Sequence, residues 1–205
     1  MMQYDVVLEE QSGRHKQSIF HRMMVFLPED EILQHFELFK KYCTVDFSVK
    51  NRMGQTPLLY AAHFNYVRVM KFLLENACDV FTFDRHMNNV LHFCSSAEAV
   101  SLVLEHMKAD GSSTLVQENI NKANNLGNTP LHAAYAFGNV QQIQTLIQQG
   151  ADLSARNRNG NIPHHMVLTD RRRLLPLYVA DEEAPKCGGI HIGDIHVVAD
   201  QLIQF

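Results

Sequence analysis

The side chains best able to do chemistry cluster late in the chain: Cys187, His191 and His196, with the pair His164-His165 upstream. Thiolates and imidazoles are zinc ligands, and a Cys beside a His is the outline of a nucleophile and its base. Zinc sites draw on paired ligands at short spacing, and a nucleophile needs a pocket and a third, orienting group. Here the spacing is loose and the segment holds Gly188-Gly189. A metal-dependent or catalytic centre on this tail is therefore the alternative reading, not the main one. The chain shows no Gly-rich phosphate loop, G-x-S-x-G elbow or paired-carboxylate pattern. The expectation is a protein that is not an enzyme and uses no metal or cofactor.

The four cysteines, Cys43, Cys78, Cys94 and Cys187, form no C-x-x-C pair and read as free thiols in a reducing compartment, cytoplasm or nucleus. Lys plus Arg total 18 against 22 Asp plus Glu, a formal net charge of -4, and nucleic-acid binding is excluded on that balance. The chain has 205 residues, 46% apolar and 20% charged, which suits one folded domain or two small ones. No apolar run reaches the ~18 residues of a membrane span. The start, Met1-Met2-Gln3-Tyr4-Asp5, lacks the basic and apolar regions of a secretory signal.

A repeat organises these residues. Gly127-Asn128-Thr129-Pro130-Leu131-His132-Ala133-Ala134 is followed 33 residues later by Gly160-Asn161-Ile162-Pro163-His164-His165-Met166-Val167. Upstream, Gly54-Gln55-Thr56-Pro57-Leu58-Leu59-Tyr60-Ala61 is followed after the same 33 residues by Met87-Asn88-Asn89-Val90-Leu91-His92-Phe93-Cys94. The interval between the two pairs is 40, one period plus an insertion. A second marker opens eight residues before each Gly-type position: Asp46–Asn51, Asp79–Asp84, Asn119–Asn124 and Asp152–Asn157. Thr suits a helix N-cap and Pro its first turn. A second helix is predicted from Val67, Met70, Leu73 and Leu74, and from Val140, Ile143, Leu146 and Ile147. Gly150 is predicted to end its helix in the left-handed conformation.

The pattern resembles the ankyrin repeat, with a period of about 33 residues and the signature T-P-L-H-x-A. Residues 124–156 match best, 51–83 nearly as well with Leu59 at the signature His, and 84–123 are degenerate. An atypical first unit carries Ser18-Ile19-Phe20-His21 with a second helix near Glu29–Tyr42, and a partial fifth runs from Asn157 to about Val179. The resemblance implies an all-α solenoid of about five helix-turn-helix units, irregular at both ends, over residues 16–179. Around it, residues 1–15 read as an N-terminal arm and 180–205 as a loop and short capping helix starting near Asp194. The third unit is short between His92 and Val100. The polar stretch Lys108–Thr114 predicts an irregular finger or loop on its exit.

The resemblance also implies roles. His21, His92, His132 and His165 fall at the signature position, where the imidazole bonds loop backbone and locks neighbouring repeats. Arg52, Arg85 and Arg158 share the loop-tip position, held by Asn125 in the fourth unit, and form a row of donors for an acidic partner segment. Arg171-Arg172-Arg173 reads as a solvated face. Family geometry lines a concave groove with Met53, Tyr60, His63, Phe64, His86, Phe93, Leu126, Ala136, Phe137 and Met166. Tyr60, Phe64, Phe93 and Phe137 are the expected aromatic anchors. The implied function is protein–protein interaction by a monomer, as an adaptor, an inhibitor of transcription factors such as the NF-kappa-B type, or an effector secreted into a host cytosol.

Overall fold

In the computed structural model of the protein, residues 18–42, 45–109 and 113–168 are described. Among them are nine α-helices, one 3-10 helix and no strand. The helices are α1 (Ile19–Phe26), α2 (Glu29–Tyr42), α3 (Pro57–Phe64), α4 (Val67–Glu75), α5 (Val90–Phe93), α6 (Ala97–Ala109), α7 (Ser113–Ile120), α8 (Pro130–Phe137) and α9 (Val140–Gln148), with the 3-10 helix at Pro163–Leu168. The arm at 1–15, Arg171–Arg173, the end of the fifth unit and the tail with Cys187, His191 and His196 lie outside the described residues. The chain divides into two compact units, Met1–Val90 and Leu91–Phe205.

In the first unit α1 packs on α3, and α2 on α4. Its core is aromatic. Phe20 meets Phe36 edge-on at 5.5 Å, and Phe47 lies 5.1 Å from Phe20, 5.2 Å from Phe36 and 5.5 Å from Phe72. All four rings are buried, each contributing about 1.5–3 kcal/mol of burial. Phe47 comes from the loop block that recurs ahead of each turn; the same place in the block is buried at Val80 and Ile120 and exposed at Leu153. The second helix of the atypical first unit spans Glu29–Tyr42, as its spacing predicts. Glu29, its first residue, reaches the next repeat: Oε1 accepts from the amides of Arg68 at 2.8 Å and Val69 at 3.1 Å, capping the start of α4.

Thr56 caps α3 as predicted, its Oγ1 accepting from the Leu59 amide at 3.4 Å, and Pro57 opens the helix. α3 ends at Asn65, and in the second unit α8 ends at Gly138, both left-handed, with φ of 57° and 72°. Gly150, beyond α9, is likewise left-handed, with φ 91°.

In the second unit α8 packs on α9 and on the 3-10 helix, and α6 packs on α7 and α9. The short third repeat shows as a first helix of four residues, α5. Its early end leaves the carbonyls of Cys94 and Ser95 without helical partners. Gln142 Nε2 donates to the Cys94 carbonyl at 2.5 Å and Asn139 Nδ2 to that of Ser95 at 3.0 Å. The fourth repeat thus closes the gap left by the third.

The expected finger at 108–114 is replaced over most of its length. α6 runs to Ala109, and a further helix, α7, begins at Ser113. That helix docks on the end of α9: Gln117 Nε2 donates to the Gln149 carbonyl at 2.8 Å and Asn121 Nδ2 to that of Gly150 at 3.1 Å. Val116, Asn119 and Ile120 are its buried side chains. The insertion is helical because these residues have a neighbour to pack against.

Candidate functional site

Four of the described repeats open with a tight turn, and three of these turns carry the predicted arginines. In the first unit, Gly54 N donates to the Asn51 carbonyl at 2.9 Å, and Met87 N to that of Asp84 at 3.0 Å. In the second, Gly127 N donates to Asn124 and Gly160 N to Asn157, at 2.8 and 2.9 Å. The first residue of every turn also turns its side chain inward. Asn51 Oδ1 accepts from the amides of Met53 and Gln55 at 2.9 and 3.0 Å. Asp84 Oδ1 accepts from His86 and Asn88, both at 2.8 Å. Asn124 Oδ1 accepts from Leu126 and Asn128 at 2.9 and 3.0 Å, and Asn157 Oδ1 from Asn159 and Asn161, both at 3.0 Å. All four are buried. Each therefore saturates amides that a tight turn would otherwise strand.

Within each unit one turn is bonded to the next. The Arg85 amide donates to the Met53 carbonyl at 2.9 Å in the first unit, and the Arg158 amide to the Leu126 carbonyl at 3.0 Å in the second. In the second unit Asn157 Nδ2 adds a bond to Asn128 Oδ1 at 2.8 Å. The backbone under the tips is thus fixed, while the side chains of Arg52, Arg85 and Arg158 are exposed.

The signature histidines supply the second set of joints. His21 Nε2 donates to the Gln55 carbonyl at 2.8 Å, His92 Nε2 to Asn128 and His132 Nε2 to Asn161, both at 3.0 Å. Donation to a carbonyl fixes the proton on Nε2. Nδ1 is then an acceptor, taking Ser18 Oγ at 2.7 Å in His21, and the Thr129 amide at 3.1 Å in His132. Burial disfavours the imidazolium and pushes His21 and His92 down to about 4, against the backbone bonds that raise them. His132 is shifted the same way, chiefly by burial. His165 departs from the expected role: it is exposed, on the 3-10 helix of the last repeat. Leu59, at this position in the second repeat, is buried and has no proton to donate.

The predicted groove residues separate into two groups. Tyr60 and Phe93 are 0% and 1% exposed and cannot be partner anchors. Tyr60 faces His21 edge-on at 5.0 Å, and its hydroxyl accepts from Asn51 Nδ2 at 3.3 Å, so it belongs to the joint between the first two repeats. Phe93 is enclosed with Val90 and Leu91 in the short α5. Met166 is also buried, its sulfur taking a contact from Asn157 Nδ2. Met53, His63, Phe64, His86, Ala136 and Phe137 are half-buried, and Leu126 is 45% exposed. Phe64 stacks on Tyr66 with centroids 5.7 Å apart and is half-buried.

The accessible site residues are thus Arg52, Met53, Phe64, Arg85 and His86 in the first unit, and Leu126, Phe137 and Arg158 in the second. Met87 joins the first set: it stands at a Gly-type position, with φ 63°, and is 38% exposed. The turn-opening Asn and Asp residues carry a signal in the sequence, one polar residue three before each Gly-type position. No three His, Cys, Asp or Glu side chains come together to hold a metal among the described residues. No described helix is long and apolar enough to cross a membrane.

Comparison with known proteins agrees with this architecture. The pattern of ankyrin repeats in three copies matches residues 29–114, and that of a single ankyrin repeat matches 126–158. The putative ankyrin repeat protein FPV223 of fowlpox virus is 31% identical over 124 residues, covering 59% of this chain and 80% of that protein. The nuclear factor NF-kappa-B p105 subunit of Gallus gallus is 27% identical over 144 residues, 69% of this chain and 13% of that protein. The ankyrin repeat protein OPG189 of variola virus is 26% identical over 133 residues, 62% of this chain and 22% of that protein. The chain thus spans well under a third of the last two. The repeated turn-and-helix units, the histidine joints and these matches together place the chain in the ankyrin-repeat family.

Proposed function

We propose that this protein, as a protein–protein interaction module, takes its partner on the turn tips and the adjoining half-buried side chains of its repeats, and that the partner contributes an acidic segment. One observation carries the reading: each unit bonds one turn tip to the next, the Arg52 turn to the Arg85 turn in the first and the Asn125 turn to the Arg158 turn in the second, so charged and apolar side chains are presented on a fixed backbone. Such a surface loses little freedom on binding. Arg52 and Arg85 in the first unit, and Arg158 in the second, would pair with partner carboxylates, each as a fork of donors. Met53, Phe64, Leu126 and Phe137 would supply apolar contact. The proposed activity is binding rather than catalysis, and the identity of the partner decides between adaptor, inhibitor and effector roles.

The test is affinity purification from a source-cell lysate with wild type and two variants that bring negative charge to the turn tips, Arg52→Glu/Arg85→Glu and Leu126→Glu/Arg158→Glu, after circular dichroism shows all three folded. The reading expects a protein recovered by wild type and lost by at least one variant. Equal recovery by all three contradicts it.

Inhibition of a transcription factor is a second reading, supported by the likeness to the NF-kappa-B p105 subunit over 69% of this chain. It expects direct binding to a transcription-factor domain of that type in a purified system, and absence of such binding removes it.

A further inference from the structure

Asn159-Gly160 is the one Asn-Gly pair in the sequence, and it occupies the tip of the last described turn. The residue before the Gly-type position is Met53, His86 and Leu126 in the earlier turns. Both Asn159 and Gly160 are exposed, and a Cβ placed on Gly160 would meet nothing within 4 Å.

We propose that Asn159 is a site of spontaneous deamidation. A base in solution removes the Gly160 amide proton, and that nitrogen attacks Asn159 Cγ. The bond from Cγ to the side-chain nitrogen breaks, and ammonia leaves. The resulting succinimide is opened by water at either carbonyl, giving aspartate or isoaspartate at position 159.

Ring closure requires the peptide plane between residues 159 and 160 to rotate. In two of the earlier turns the equivalent plane is clamped, because the Met53 and Leu126 carbonyls accept from the Arg85 and Arg158 amides of the following turn. The Asn159 carbonyl and side-chain amide have no such partner among the described residues. Among the described residues one bond holds that plane itself, from Gly160 N to the Asn157 carbonyl at 2.9 Å, while Asn159 N on Asn157 Oδ1 and Arg156 Nη1 on the Gly160 carbonyl hold the planes on either side. With no side chain at Gly160, the nucleophile is also unshielded. The product places a carboxylate next to Arg158, and its isoaspartyl form adds a methylene to the turn backbone. A loss of partner affinity would follow on the binding reading above, but the chemistry stands without it.

The test ages the full chain in mildly alkaline buffer, native and urea-unfolded, beside Asn159→Gln. Peptide mapping and enzymatic isoaspartate labelling then follow each asparagine. The expected result is conversion of Asn159 in the native protein to aspartate and isoaspartate, ahead of Asn51, Asn124 and Asn157, with the signal lost in Asn159→Gln. An intact Asn159 amide in the native protein, over a period in which the unfolded chain converts it, overturns the proposal.

Discussion

The backbone amide of Arg158 donates to the carbonyl of Leu126 at 3.0 Å, joining an exposed cation to an exposed apolar side chain across two repeats. The intervening residue in the turn, Gly127, is left-handed with φ 78°, and a Cβ there would stand 2.7 Å from that same amide. Gly127→Ala therefore meets both backbone strain and a backbone clash. We expect a loss of about 2–4 kcal/mol, read as a lower urea midpoint, with weaker partner binding even where the protein remains folded.

Met87 makes the complementary case. It adopts φ 63° at a position held by Gly in three other repeats. A Cβ in the left-handed region costs about 1–2 kcal/mol, part of which is offset by the greater freedom of Gly in the unfolded chain. Met87→Gly is expected to raise stability by up to about 1 kcal/mol in urea unfolding. A drop in stability would mean that the Met87 side chain makes contacts worth more than the strain.

The histidine joints predict how stability depends on pH. His21 and His92 fall from 6.5 to about 4 in the folded protein because burial opposes their charging. As pH drops below 6.5 the unfolded chain takes up these protons first. Stability is therefore full above that pH, declines through the window down to about 4, and is lost below it. Two such groups, each shifted by that amount, correspond to several kcal/mol in all. Urea titrations across this window should show the decline, and His21→Gln should flatten part of it.

Gln142 tests how the chain tolerates its shortened third repeat. Gln142→Leu leaves the Cys94 carbonyl buried without its partner, which costs about 1–3 kcal/mol. Amide exchange should quicken in α6 and α9. An unchanged exchange pattern would show that the gap is closed by other contacts.

Much of this architecture is legible in the sequence, because a repeat states each rule several times. The caps Thr56 and Thr129, the second helices and the imidazole joints at His21, His92 and His132 follow from local chemistry recurring in fixed register. The family pattern puts Tyr60 and Phe93 on the groove. Exposure, however, depends on what packs above a residue: Tyr60 is covered by His21 and bonded to Asn51. The stretch after Lys108 reads as polar loop because its helix has only a short apolar face. That helix forms through bonds from Gln117 and Asn121 to residues about thirty positions away, which local periodicity does not report.

The central claim, that a partner protein sits on the turn tips, is tested most directly by site-specific photo-crosslinking. A photoreactive amino acid replaces Arg52, Leu126 or, as a control on the exposed face of α9, Gln144. Irradiation in source-cell lysate should give the same protein adduct from positions 52 and 126 and none from 144. Adducts formed at 144 and absent from both turn tips would contradict the account and move the interface to the exposed face of α9.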